Sequence, residues 1–236
     1  MARHLFFLGK GGVGKSTLSA IEGLKSAKNN QDTLIVSMDP AHNQSDIFQT
    51  QFTDKPKPVC DNLTVLEIAI EKQVKNYLHE IETRLKDTYR YLTAFNLEDH
   101  FGIIRYSPGI EEYALLRAYK EISDKFQDKD LIVFDMPPTA LTLKFFSLPK
   151  LSLLWLDKLL EIRERIIGKK QIITKIKFAG KNLETDKIIK NLDSQIKNYE
   201  RINKNLQDKS STNIILVLNP DRLSANESIR IFKQLQ

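Results

Sequence analysis

Four glycines fall at positions 9, 11, 12 and 14. Lys15, Ser16 and Thr17 follow them directly, and Lys10 and Val13 fill the gaps. From Gly9 to Ser16 the residues fit G-x-x-x-x-G-K-[ST]. These residue types at this spacing can hold a polyphosphate. Closely spaced glycines let the backbone bend until several N–H groups converge on one anion. A helix that starts near Lys15 adds its positive end. The Lys15 ammonium can neutralise charge on the β- and γ-phosphates, and the Ser16 hydroxyl can ligate Mg2+. The competing reading is a glycine-rich turn with no ligand. Against it stand the apolar run Leu5-Phe6-Phe7-Leu8 before the turn, and Leu18, Ile21 and Leu24 at helical spacing after it.

Two further carboxylates end apolar runs. Thr33 to Met38 reads as a strand that finishes on Asp39, and Asp130 to Phe134 as one that finishes on Asp135. Strand–helix–strand units of this kind build a parallel sheet with right-handed crossovers, whose ligands sit at the carboxyl ends of the strands. Asp39 is therefore placed to hold or polarise a water near a γ-phosphate, Asn43 to contact the phosphate, and Asp135 to reach Mg2+ directly or through water. His42 reads as a histidine packing a turn, with a catalytic role as the alternative. Asp46 reads as a helix cap.

These motifs resemble a known family. G-K-G-G-V-G-K-S-T is similar to the deviant Walker A motif of the MinD/ParA/ArsA class, in which the extra lysine, here Lys10, reaches the partner subunit's nucleotide. The resemblance implies an ATP-dependent homodimer, with Lys10 acting much as an arginine finger does. D-P-A-H-N-Q-S-D-I-F, from Asp39 to Phe48, is similar to the D-P-A-H-N-L-S-D-A-F signature of the ArsA/Get3 ATPases, which comprise arsenical-pump ATPases and targeting factors for tail-anchored membrane proteins. By that resemblance this segment is switch I and Asp39 activates the attacking water. Leu63 to Ile68 resembles the family's N-L-T-A-L-E-I-D segment, and residues 107–112 resemble its P-G-I-x-E segment. Asp135 to Lys144 looks like switch II, D-T-A-P-T-G-H-T-L-R, but has Met136 for Thr, Pro137 for Ala, and Ala140-Leu141 for Gly-His. Losing that glycine removes backbone freedom, and losing that histidine removes a polar group, so the departure bears on hydrolysis rate and coupling. The resemblance also places a carboxylate at Asp221 near nucleotide. Members of the family normally carry a further strand with an Asn-Gln adenine contact after this part.

The resemblance and the strand pattern together predict an α/β fold: a doubly wound, mostly parallel P-loop NTPase sheet with an inserted α-helical subdomain. The expected division is 1–144 for the ATPase core, 145–210 for the helical subdomain, and 211–236 for the return to the core. The chain has 236 residues, of which 41% are hydrophobic, enough for one large core. No run approaches the roughly 18 apolar residues that span a bilayer. The N-terminus runs straight into strand and loop, which leaves no room for a signal peptide. Cys60 is the single cysteine, which excludes an intrachain disulfide framework and suits a reducing cytoplasm.

The net charge of +6 lies wholly in one segment. Glu161 to Lys209 carries 13 Lys+Arg against 7 Asp+Glu, and the remainder is balanced. A basic segment can face nucleic acid, anionic lipid or an acidic partner; the alternative is the solvated side of long helices, and no nucleic-acid partner is expected. Phe145 to Ile167 is rich in large apolar residues, with Leu153, Leu154, Trp155 and Leu156 consecutive. At about 100° per residue these point to several sides of a helix. Either the helix is enclosed or one side is bare. Leu151, Leu154, Trp155 and Leu159 are accordingly the candidate surface for a hydrophobic client segment or a membrane partner.

The expected function is a dimeric ATPase switch that uses ATP and Mg2+ to bind and release a partner. A nucleotide-gated binding module with little hydrolysis and a MinD-like membrane-surface ATPase are the alternatives. No arsenite site is expected, because a soft-metalloid site needs clustered thiolates and this chain has one.

Overall fold

The computed structural model describes residues 2–41, 43–88, 109–177 and 187–235. Among these residues six strands form one sheet in the order β3-β4-β2-β5-β1-β6. The strands are β1 (Arg3–Leu8), β2 (Thr33–Ser37), β3 (Lys57–Cys60), β4 (Leu63–Glu67), β5 (Leu131–Asp135) and β6 (Thr212–Leu216). All neighbours are parallel except β3, which runs antiparallel to β4 at the edge. The helices are α1 (Lys15–Lys28), α2 (Asn43–Ile47), α3 (Ile70–Thr88), α4 (Ile110–Lys125), α5 (Thr139–Lys177), α6 (Lys187–Gln207) and α7 (Arg222–Leu235). The doubly wound, mostly parallel α/β sheet expected from the sequence is thus present.

The burial pattern explains the apolar runs. Every residue of β2 and β5 is buried, as parallel strands covered on both faces must be. Between β1 and β5, Phe6 faces Phe134 in register, and their rings stack with centroids 4.7 Å apart. His4, Tyr119 and Phe145 close the same cluster. His4 Nδ1 lies 3.1 Å from the Tyr119 hydroxyl, and burial lowers its pKa to about 4. That histidine is a core residue at the end of β1 remote from the glycine loop.

The register sets the chemistry at one edge of the sheet. Phe7 pairs with Asp135, and Ser37 pairs with Asp135 from the other side. The carboxyl ends of β1, β2 and β5 therefore lie side by side, which brings the glycine loop, Asp39 and Asp135 together. On the other side of β1, Val217 donates its backbone N–H to the Leu8 carbonyl (2.7 Å) and brings the end of β6 to the same place.

The chain divides into two compact units, Met1–Phe146 with Gln207–Gln236, and Ser147–Leu206. The sheet and its helices belong to the first. The second holds most of α5 and α6.

Several boundaries differ from the sequence expectation. Residues 53–62 read as a loop but contain β3, a short exposed strand carrying Pro58, too polar to show a strand pattern. Helix α5 begins at Thr139, within the segment that resembles switch II, where the Thr142 hydroxyl donates to the Pro137 carbonyl (2.6 Å). After the last strand the sequence reads as a helix from about residue 226, but α7 begins at Arg222, because Asp221 caps it. Asp46 lies inside α2 instead of preceding a helix. His42, residues 89–108 and residues 178–186 lie outside the described residues. So do the readings that fall on them: His42 as a turn-packing histidine, and Ser107-Pro108 of the segment that resembles P-G-I-x-E.

Candidate functional site

Between β1 and α1 the chain makes a tight loop whose shape depends on glycine. A Cβ on Gly9 would stand 2.3 Å from the Val217 carbonyl oxygen, so a side chain there would collide with backbone. Gly14 holds φ 91° at the N-cap of α1, a conformation L-residues rarely adopt. The first-turn N–H groups of α1 receive no side-chain cap at this position. Gly11, Gly12, Thr17 and Lys10 are exposed, whereas Val13 is buried. An exposed loop of amides backed by a positive helix end is an anion cradle.

Lys15 is buried, and its Nζ donates to the Lys10 carbonyl oxygen at 3.2 Å. The side chain thus folds back over the loop and points its charge where an anion would sit. Lys10 itself presents an exposed side chain from the middle of the loop. Ser16 is buried, and its Oγ accepts a hydrogen bond from Asn43 Nδ2 at 3.2 Å. The turn after β2 is built on Asp39, whose Oδ1 accepts the Ala41 N–H at 3.0 Å and leaves its second oxygen free of that turn.

Asp135 is fully buried at the end of β5. Burial raises its pKa above the ordinary carboxylate range. Hydrogen bonds from Ser16 and Gln44 pull it back, the charge of Asp39 adds to the rise, and the Lys15 ammonium opposes it. Its Oδ2 accepts from Gln44 Nε2 at 3.0 Å, while Oδ1 is buried with no hydrogen-bond partner. A serine hydroxyl and a carboxylate oxygen that lacks a donor are hard oxygen ligands. This set fits Mg2+, which takes one or two protein oxygens along with phosphate and water.

The structure therefore brings Gly9, Lys10, Gly11, Gly12, Val13, Gly14, Lys15, Ser16, Thr17, Asp39, Asn43 and Asp135 to one edge of the sheet. Asp221 lies on the segment after β6 and accepts the Ser224 N–H (2.8 Å) as the N-cap of α7. Leu151, Leu154, Trp155 and Leu159 sit in the second unit and are exposed, Trp155 by 70%. With Ile162 and Ile166, also exposed, they recur at spacings of three and four residues along α5. They make one bare apolar stripe. The basic part of the same helix carries solvated ion pairs, Lys158 with Glu161 at 2.7 Å and Glu161 with Arg165.

Sequence reasoning missed two side chains. Glu67 accepts the Ser45 N–H at 2.9 Å and the Ser45 hydroxyl at 2.6 Å, which fastens α2 to the end of β4. Gln44 is fully buried, and its Nε2 reaches the Ser16 carbonyl (3.0 Å), Ser19 Oγ (2.8 Å) and Asp135 Oδ2 (3.0 Å). The available signal was that Gln44 stands where the family signature has leucine.

The anion-transporting ATPase family profile matches residues 2–236. A protein of Aquifex aeolicus (strain VF5), carried under the provisional name arsenical pump-driving ATPase 2, is 30% identical over 235 residues, covering 99% of this chain and 75% of the relative. An ATPase ASNA1 homolog of Entamoeba dispar is 31% identical over 239 residues, 99% of this chain and 72% of the relative. An ATPase ASNA1 homolog of Cryptosporidium parvum (strain Iowa II) is 33% identical over 235 residues, 99% of this chain and 61% of the relative. Among the described residues no helix is long and apolar enough to cross a membrane.

Proposed function

This chain belongs to the anion-transporting ATPase family and is an ATPase, and from that premise we propose that it is a homodimeric MgATP switch that binds and releases a hydrophobic partner segment. The observation that carries the reading is the convergence of Lys15, Ser16, Asn43, Asp39 and Asp135 on the exposed glycine loop.

In this reading the amides from Gly9 to Gly14 bind the β-phosphate, and Lys15 exchanges the Lys10 carbonyl for β- and γ-phosphate oxygens. Ser16 holds Mg2+, with Asp135 reaching it directly or through a water. When bound, Mg2+ withdraws charge from the bridging and terminal phosphates. Asn43 contacts the γ-phosphate, and Asp39 orients a water in line with the bond to be broken. Asp221 lies beside the nucleotide. Lys10 serves the partner subunit's nucleotide, supplying positive charge as the phosphoryl group transfers.

The output is the stripe Leu151, Leu154, Trp155, Leu159. It lies on the helix whose first residue, Thr139, belongs to switch II and donates to Glu227 of α7 at 2.8 Å. A change in switch II on hydrolysis enters that helix at its first turn. The stripe has the apolar character a client helix or a membrane partner's segment would match.

Trp155 is the sole tryptophan and reports this directly. Its emission should be that of an exposed indole. It should shift on addition of Mg2+ with a non-hydrolysable ATP analogue, and again with an amphipathic hydrophobic peptide. Emission unmoved by either addition removes the client part of the proposal.

A further inference from the structure

We infer that Gln44 is a positioning residue of the magnesium site. It selects which oxygen of Asp135 faces the metal and ties that choice to α2. The inference rests on the MgATP reading above.

The geometry fixes the orientation of the amide. Its three neighbours include a backbone carbonyl and a carboxylate, which only accept, so the atom that touches them is the nitrogen. Ser19 Oγ spends its own proton on the Ser16 carbonyl at 2.9 Å and is therefore an acceptor for Gln44 as well. Gln44 Oε1 is left buried with no donor.

Two consequences follow. First, Gln44 holds Asp135 by Oδ2, Ser16 is the other side chain that bonds this carboxylate, and Oδ1 is the oxygen without a partner. An oxygen held by an amide and an oxygen left bare make a carboxylate with one orientation. A bound metal ion, or a water on it, would supply the partner that the bare oxygen lacks. Second, Gln44 Nε2 has two protons and three acceptors between 2.8 and 3.0 Å. The same nitrogen holds the backbone of Ser16, whose hydroxyl is the other metal ligand. Gln44 sits on α2, next to Asn43 and five residues beyond Asp39. Displacement of α2, which also carries Asn43, breaks the contacts of Gln44 to both of these residues. Leucine, the residue of the family signature, can fill the space but can make none of these bonds.

The test measures binding of a fluorescent non-hydrolysable ATP analogue to the full chain, first in EDTA and then with rising Mg2+. The proteins compared are wild type, Gln44→Leu and Ser19→Ala. Gln44→Leu should leave metal-free nucleotide affinity within about twofold and raise the half-saturating Mg2+ concentration by about tenfold or more, the usual effect of removing an outer-shell partner. Ser19→Ala disturbs the same buried network but spares Asp135, and it should keep the wild-type Mg2+ requirement within about twofold. A Gln44→Leu protein with an unchanged Mg2+ requirement overturns the inference. So does one whose metal-free affinity falls in parallel, because that marks a packing role, and so does an equal Mg2+ shift in Ser19→Ala. A wild type that binds the analogue with no response to Mg2+ overturns the magnesium reading itself, and is told apart from these by the wild-type titration alone.

Discussion

Replacing Asp135 by asparagine should abolish turnover and yet stabilise the metal-free protein. Asp135 is fully buried, one of its oxygens has no donor, and Asp39 adds a second negative charge close by. A buried acceptor left unsatisfied costs about 1–3 kcal/mol, and a charged one stands at the upper end. Asparagine keeps the shape and can still accept from Gln44 Nε2, but it carries no charge. Weakening of the bonds from Ser16 and Gln44 and loss of the Lys15 attraction offset part of the gain, so a net stabilisation of about 1–2 kcal/mol is expected. For a chain of this size that is about 2–8 °C in Tm. The assay is thermal unfolding by circular dichroism in EDTA, repeated with Mg2+ and a non-hydrolysable ATP analogue. Wild type should overtake the variant in the second condition, because ligand at a hundred times its Kd adds about 2.7 kcal/mol to the protein that binds it. A variant that melts below wild type in EDTA would refute the reasoning and show that the carboxylate is satisfied in the empty protein.

Gly9→Ala should keep the fold and lose nucleotide affinity by about tenfold or more, because the new Cβ falls 2.3 Å from the Val217 carbonyl oxygen and the loop must open; nucleotide titration checks it. His4 is held near pKa 4 against about 6.5 when unfolded, so the unfolded chain binds the extra proton. Stability should therefore fall as pH drops from about 6.5 to 4, by up to about 3 kcal/mol, and His4→Phe should remove that component from urea unfolding measured at the two pH values. Arsenite and antimonite should not stimulate hydrolysis, since Cys60 is a lone exposed thiol; stimulation that vanishes in Cys60→Ser would contradict this.

The fold was legible because its central strands are buried on both faces, so Leu34, Ile35 and Val36, or Ile132, Val133 and Phe134, form unbroken apolar runs. The glycine loop was legible because phosphate binding constrains backbone and side chains within eight consecutive residues. Family membership was legible for the same local reason, carried by Asp39 to Phe48. The strand β3 was not, because an exposed edge strand held by a few ladder bonds needs no apolar pattern. Nor was the early start of α5: two prolines precede it, and the bond from Thr142 to the Pro137 carbonyl that opens it is a matter of local geometry. The departure from the family's leucine marked Gln44, but its role was not legible. Its partners Ser16, Ser19 and Asp135 lie up to 91 residues away, and a glutamine beside an asparagine in a polar turn reads as surface. The apolar stripe on α5 was legible as an excess of large side chains, and Leu151, Leu154, Trp155 and Leu159 are exposed as expected; its continuation through Ile162 and Ile166 required the structure.

The central proposal is that each catalytic site is completed by Lys10 of a second copy of this chain, two sites to a dimer, and mixing two inactive variants tests it most directly. Lys10→Ala should bind ATP but lose turnover by about a thousandfold, the usual worth of a finger residue. Lys15→Ala should bind no ATP and still offer its Lys10. If Lys10 acts across the dimer, an equimolar mixture should regain roughly a quarter of wild-type turnover, since half the dimers are mixed and each has one complete site. A mixture no more active than its components, with mixed dimers shown to form, would contradict the account.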